Sequence, residues 1–302
     1  MTGTGTQADP FVVDNWDDFV TAIETAGAWV ELDNSASNKV IDMSEHGFFS
    51  SAANTSAISL VCKDINGNGW EIRSLSWDSG ALFGGSPSSD IIIDDLYFTS
   101  FNSVCSNSSN NQMFHTQRNK IEFNDCQFSG EIENSSLFYC YSGNTSLNRC
   151  SLNVNLKASA TICCHSYAGV YYTNCNIKIT GNTNRQVFRY STFSFCYISG
   201  FLNFTSTVLA QFNVLGATDY TNRMHTVVDI NVNNTGISTN TIKIYNKGYK
   251  IVNTDKIVGF ATVMLTDETC AVTSAQLEDE NYLKSIGFAI GVEGGGNVVE
   301  NE

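Results

Sequence analysis

The sequence predicts an all-β chain wound as a parallel β-helix, with a short N-terminal capping helix and a C-terminal β module. Three observations predict it. The first is a repeat: "IEFNDCQFSG", "TSLNRCSLNV" and "VYYTNCNIKI" each centre on a cysteine, with bulky and small polar residues alternating around it. Aligned on that position, the series runs Leu96, Cys126, Cys150, Cys175 and Cys196, at spacings of 30, 24, 25 and 21 residues. The second is a companion series, "QMFHTQ", "LFYCYS", "TICCHS" and "QVFRYS", in which Phe114, Phe138, Ile162 and Val187 recur at 24, 24 and 25. The third is composition: 33 Asn against only Pro10 and Pro87. Asn tolerates left-handed corners and satisfies local backbone groups, whereas proline removes an N–H that a continuous ladder needs.

A period of roughly 20–50 residues marks a solenoid or array. Each period here holds at least two short strands, with links of Asn, Ser and Gly and no helical pattern. A propeller blade needs about four strands in a longer period, and the L-x-x-L-x-L frame of a leucine-rich repeat is missing. A sandwich of hairpins is the rival, because short strands at regular spacing suit it too. A sandwich does not require cysteine to return to one strand position, whereas a stacked coil does. Cysteine is small and apolar and suits a crowded inner column. No coil is stable alone, since each buries its inner side chains against its neighbours.

The elements follow in order. Residues 1–28 are a lead-in and cap: "DNWDDFVTAIETAG", residues 14–27, places Trp16, Phe19, Val20 and Ile23 at helical spacing, with Asp14 or Asn15 to cap it and Gly27 to end it. The helix covers the open edge of the first coil, which begins at "AWVEL". Residues 29–225 are the β-helix, irregular at first ("NKVIDMS", "AISLVCKDINGNGWEIRSLSW", "SGALFGG") and regular from Leu96 onward. Residues 226–290 are richer in Lys, Ile and Val and lose the cysteine frame, and so read as a C-terminal β module or wider final coils. Residues 291–302 read as a flexible tail.

Several of these segments carry a resemblance. "GTGTQADPFVVDNWDDFVTAI", then "INGNGWEIRSL", then "IIIDDLYFTSF", resembles the opening of right-handed parallel β-helix proteins of tailed phages and bacterial surfaces, of pectate-lyase-like fold. In that family a Gly-Thr/Asp-Pro-Tyr/Phe lead-in precedes a capping helix, and a "DGNG"-like turn precedes the coils. Near the end, "VTSAQLEDENYLKSIGFAI" resembles the segment that closes many such chains, although the large aromatic that usually follows is replaced by "GVEGGGNVVENE". The resemblance covers most of the chain. It implies a right-handed coil and, among its members, virion decoration proteins, fibres and spikes.

Charge and motifs narrow the function. The net charge is −14, which excludes generic binding to nucleic acid. No run reaches the length of a membrane span, and the N-terminus lacks the basic and apolar parts of a secretory signal, so the ten cysteines are expected as buried free thiols. There is no C-x-x-C, H-E-x-x-H, G-x-S-x-G or P-loop, and no cofactor or metal is expected. A glycosidase needs two carboxylates about 5–9.5 Å apart, and Asp94 and Glu122 on successive coils are the first candidates, followed by Asp95, Asp125, Glu131 and Glu133. From Asn134 to Thr218, where the repeat is most regular, there is no Asp or Glu at all. A catalytic pair is therefore not the expected reading. In the companion series, parity turns His115, Tyr141, His165 and Tyr190 outward, at spacings of 26, 24 and 25, as one column of flat polar rings. That column is expected to be a cross-coil ladder, a subunit interface or a glycan platform. The function expected is a non-enzymatic virion structural protein of a tailed phage, with a depolymerising tailspike and a bacterial adhesin as alternatives. The partners expected are other virion proteins or copies of the chain itself, with a host glycan as a further candidate.

Overall fold

The computed structural model describes residues 1–52, 55–85, 87, 89–106, 111–165, 169–185, 187–188, 191–205, 211–213, 226–236, 241–244, 250–265 and 271–285. Every pairing between its described strands is parallel and joins residues about one repeat apart. Three ladders run up the stack. The first aligns Ile91, Ile121, Thr145, Val170 and Ser191. The second aligns Phe98, Phe128, Leu152, Ile177, Ile198 and Val228. The third aligns Ile58, Phe83, Phe114, Phe138 and Cys163. The chain is thus dominated by large parallel sheets and is consistent with a β-helix-like solenoid.

The repeat that reads as one strand is two. Ile121–Asn124 and Gln127–Glu133 are separate strands, with Asp125 between them in the left-handed region at φ 55°. The same corner recurs at Asp95 (φ 50°), Arg149 (55°), Asn174 (53°) and Phe195 (54°). It turns the next side chain inward: Leu96, Cys126, Cys150, Cys175 and Cys196 are all buried. Their backbones stack directly, since Ser151, Asn176 and Tyr197 donate to the carbonyls of Cys126, Cys150 and Cys175 at 3.0–3.1 Å. The thiols point at carbonyls too: Cys150 Sγ lies 3.4 Å from both Phe123 O and Asn148 O. Seven cysteines of the described residues are buried, Cys62, Cys105 and Cys140 beside the four of the column. The early turn "INGNGW" is the same corner in looser form. There the register shifts between Asn66 and Trp70, and a side chain at Gly67 would meet Asp95 O at 2.4 Å.

Inside the stack the aromatic rings interlock. Phe114 lies 5.0 Å from Phe123, 5.2 Å from Phe83 and 6.0 Å from Phe138, ring centre to ring centre. Burying each such ring contributes about 1.5–3 kcal/mol. The stack therefore gains its stability in the direction in which it repeats.

The helix Trp16–Ile23 is capped by Asn15, whose side-chain oxygen accepts from Asp18 N at 3.0 Å. Phe19, Ala22 and Ile23 are buried in the main core, and Trp16 and Val20 pack against it. The lead-in is not all loop: Phe11–Val13 pairs in parallel with Trp29–Leu32 below the coil that "AWVEL" opens. At the other end, Thr226–Asn234 pairs in register with Tyr197–Phe204 along eight positions, and Lys250–Asn253 and Ile257–Val258 add to it. Residues 226–258 therefore include strands that extend the same sheet, at steps of 24 and 25 residues beyond Thr226–Asn234. Two short helices, Ser274–Glu278 and Glu280–Ser285, follow, the first opened by a capping box between Thr273 and Gln276. Leu283 packs with Val227 and Val272 in a small second cluster. Residues 291–302 lie outside the described residues.

Candidate functional site

The chemistry of this chain stands on the polar positions between the buried ones. Along the first ladder, Glu122 sits opposite Ile92 and Ser146, while Asn124 sits opposite Asp94 and Asn148. Asp94 and Glu122 are therefore diagonal neighbours and not a facing pair. Amides bridge them: Asn124 Nδ2 donates to Asp94 Oδ1 at 2.8 Å, and Asn148 Nδ2 donates to Asn124 Oδ1 at 2.8 Å and to Glu122 Oε1 at 3.0 Å. Lys120 Nζ holds the other oxygen of Glu122 at 2.5 Å. Three further acids of these coils are also held, whereas the carboxylate of Glu133 has no such contact among the described residues. Asp125 takes Arg149 of the next coil through both oxygens, at 2.8 and 2.6 Å, and the guanidinium holds its carboxyl below the usual range. Glu131 takes Lys157 and Asn155; burial works against its ionisation, and the two partners outweigh it. Asp95 accepts from Tyr97 Oη at 2.8 Å, which pushes the phenol up to about 12.

One acid behaves differently. Asp64 is aligned with Ile92, one coil before Glu122, and burial followed by the nearby charge of Asp94 pushes its carboxyl up to about 6. Diagonal neighbours on a sheet sit roughly 7–8 Å apart. Asp64, its carboxyl pushed up to about 6 chiefly by burial, thus stands diagonally beside Asp94. Sequence reasoning passed over Asp64 because "CKDIN" stands in an irregular early coil, and only the register places it in the column of Glu122.

Near the end of the described stack, Asp229 gathers three donors: Tyr197 Oη at 3.0 Å, Lys256 Nζ at 2.7 Å and Asn253 Nδ2 at 2.8 Å. Burial raises its cost of ionisation, yet the three donors together hold it low. Asn253 also donates to Ser274 Oγ at 3.1 Å, so this carboxylate ties the coils to the closing helices.

The expected column of outward rings is not a column. His115 faces Tyr139, and the position facing His165 is Cys140, itself aligned with Thr116. Tyr141 follows the end of its strand, so His115, Tyr141 and His165 occupy three different columns. Two offsets separate them: Tyr141 stands two positions beyond Tyr139, the partner of His115, and His165 is displaced by a one-residue change of repeat length. Ser136 pairs with Thr161 and Phe138 with Cys163, a step of 25, where the alignment on Ile162 takes 24. The parity argument fails as well, because adjacent residues are both buried at each level: Leu82 with Phe83, Met113 with Phe114, Leu137 with Phe138. His115 is only 5% exposed, its ring edge against Tyr139 at 5.0 Å, and burial lowers its pKa. Tyr141 is exposed. Tyr190 and the side chain of His165 lie outside the described residues.

Among the described residues, no three His, Cys, Asp or Glu side chains come together to hold a metal ion. What the arrangement does chemically is join one coil to the next and make Asp64 harder to ionise than an exposed aspartate. No family model, curated protein or solved structure matches the chain.

Proposed function

We propose that this chain is a non-enzymatic structural protein built on a right-handed parallel β-helix, a virion component of a tailed phage such as a head decoration protein, fibre or spike. One observation carries the reading. Four acids of the regular coils are engaged in contacts with a neighbouring coil: Asp94 with Asn124, Glu122 with Asn148, Asp125 with Arg149, Glu131 with Lys157. A catalytic carboxylate needs access to its substrate and a pKa matched to its task, and these four are tied down as structural partners. The lead-in, capping helix, cysteine coils and closing segment support the phage and surface β-helix likeness.

A second reading rests on Asp64. A carboxyl held near 6 beside Asp94 is the pattern of an acid and its partner in glycoside hydrolysis, so a polysaccharide-depolymerising spike is the alternative. Incubation with capsular or O-antigen polysaccharides, followed by a reducing-end assay, separates the two. The structural reading expects no release. Release that disappears in Asp64→Asn establishes the alternative.

A further inference from the structure

Because the described coils stack in chain order, position in the sequence is position along the axis, and charge is segregated along it. Among the described residues, 1–133 carry 19 Asp and Glu against 5 Lys and Arg; 134–213 carry none against 4; 226–265 carry 2 against 3; and 271–285 carry 3 against 1. The boundary is stitched by two ion pairs, Arg149 to Asp125 and Lys157 to Glu131, each reaching back one coil into the acidic half. Beyond them, Lys178 is exposed in the strand Asn176–Thr183, aligned with Asn153 and Ser199, and has no carboxylate partner among the described residues. The carboxylate-free turns also carry Tyr141, Tyr171 and Phe201, 51%, 41% and 45% exposed. At the acidic end, Asp14, Asp17 and Glu45 are exposed and no cation pairs with them among the described residues.

We propose that the carboxylate-free belt is a docking surface for a second copy of this chain, lying alongside in the antiparallel sense. This deepens the scaffold reading by naming its partner. Antiparallel placement about a two-fold axis sets the acidic half of each copy against the cationic belt of the other, twice over. Parallel placement sets like charge on like. Three turns span roughly 14 Å at about 4.8 Å per coil, which exceeds the Debye length of about 8 Å at physiological salt. A partner therefore feels the belt and the acidic end as separate surfaces, and the net charge of −14 does not govern the contact at that salt. The exposed aromatic rings supply the apolar contact, as aromatic residues do at interfaces.

Sedimentation velocity of the full chain at increasing concentration tests this. A dimer is expected in 100 mM NaCl, about tenfold or more weaker in 500 mM. The variant Lys178→Glu/Arg185→Glu is expected to be a monomer at 100 mM, and so is Asp14→Lys/Asp17→Lys/Glu45→Lys. Mixing the two is expected to restore a heterodimer, with circular dichroism confirming that each variant is folded. If either variant does not fold, carbodiimide cross-linking of mixed 14N and 15N wild-type chains decides. Inter-copy links from Lys178 to acids of residues 1–95 support the antiparallel dimer. A monomer at 100 mM, a dimer indifferent to salt and to Lys178→Glu, or a parallel assembly overturns it. Release of sugar ends overturns the scaffold reading but leaves these outcomes as they are.

Discussion

Arg149 grips Asp125 of the preceding coil through two parallel hydrogen bonds, Nε to Oδ1 at 2.8 Å and Nη2 to Oδ2 at 2.6 Å, and both residues stand at left-handed corners with φ 55°. Two corners of successive coils are thereby pinned at the position where the chain must turn the next side chain, a cysteine, inward. Both side chains are more than half exposed, so solvent screens the pair. Arg149→Ala is expected to cost no more than about 1 kcal/mol in urea unfolding. The carboxyl is held below its ordinary value, so this contribution is present above the unfolded pKa and is lost as pH falls through the folded one. A loss that persists at pH 2 would show that the arginine acts through packing and not through charge.

Asp64 has the opposite sign. Its folded pKa, about 6, stands above the ordinary 3.8, so the folded state holds the proton more tightly. Stability from this group is full below about pH 4 and is lost as pH rises through 6. Asp64→Asn is therefore expected to stabilise the chain at pH 8, by about 1 kcal/mol after allowance for partial exposure, and to change little at pH 4. Equal effects at the two pH values would refute the shift.

Phe195 occupies the corner that Asp95, Asp125 and Asn174 occupy in other coils, with φ 54°. A left-handed conformation costs an ordinary L-residue roughly 1–2 kcal/mol, and Asn tolerates it best after Gly. Phe195→Asn is expected to raise the urea midpoint and the reverse exchange, Asn174→Phe, to lower it, each by about 1 kcal/mol. No change in either direction would mean that the Phe195 ring contributes as much through contact as its backbone loses.

Gln112 is buried in the third ladder between Ala81 and Ser136, and its Nε2 has no hydrogen-bond partner among the described residues. An unsatisfied buried donor costs about 1–3 kcal/mol. Gln112→Met keeps the length and removes the donor, so the melting temperature is expected to rise. A fall would show that the amide is satisfied in solution.

The thiols of Cys62 and Cys105 are pushed up to about 12 and about 11 by burial, and burial also holds Cys196 well above its ordinary range. Thiolates are the reactive form. Alkylation at pH 8 is expected to leave the cysteines at 62, 105, 126, 150, 175 and 196 unlabelled in the native chain. All six are expected to react after denaturation without reductant. Masses short by 2 Da per pair would reveal bridges instead.

The sequence by itself determined that this chain is a stack of short parallel strands. Periodicity is a local property: the cysteine at the same place in "FNDCQF", "LNRCSL" and "YTNCNI" registers the coils because the column after the corner is buried and takes an apolar side chain at every level. The capping helix was legible for the same reason, since Asn15, Phe19 and Ile23 follow helical spacing whatever they pack against. That "IEFNDCQFSG" is two strands also has a local sign, the Asn or Asp before the cysteine, although Arg149 and Phe195 at the same corner hide it. The candidate site was not legible in this way. His115 faces Tyr139, two positions before Tyr141, and whether Tyr141 and His165 share a column depends on one residue gained between Phe138 and Cys163; a one-residue slip moves every side chain to another column. How far Asp64 resists ionisation depends on its burial, and then on the acid the neighbouring coil sets beside it. Side-chain type and spacing are written along the chain, but register between coils is an agreement among several of them, and the tertiary structure alone decided it.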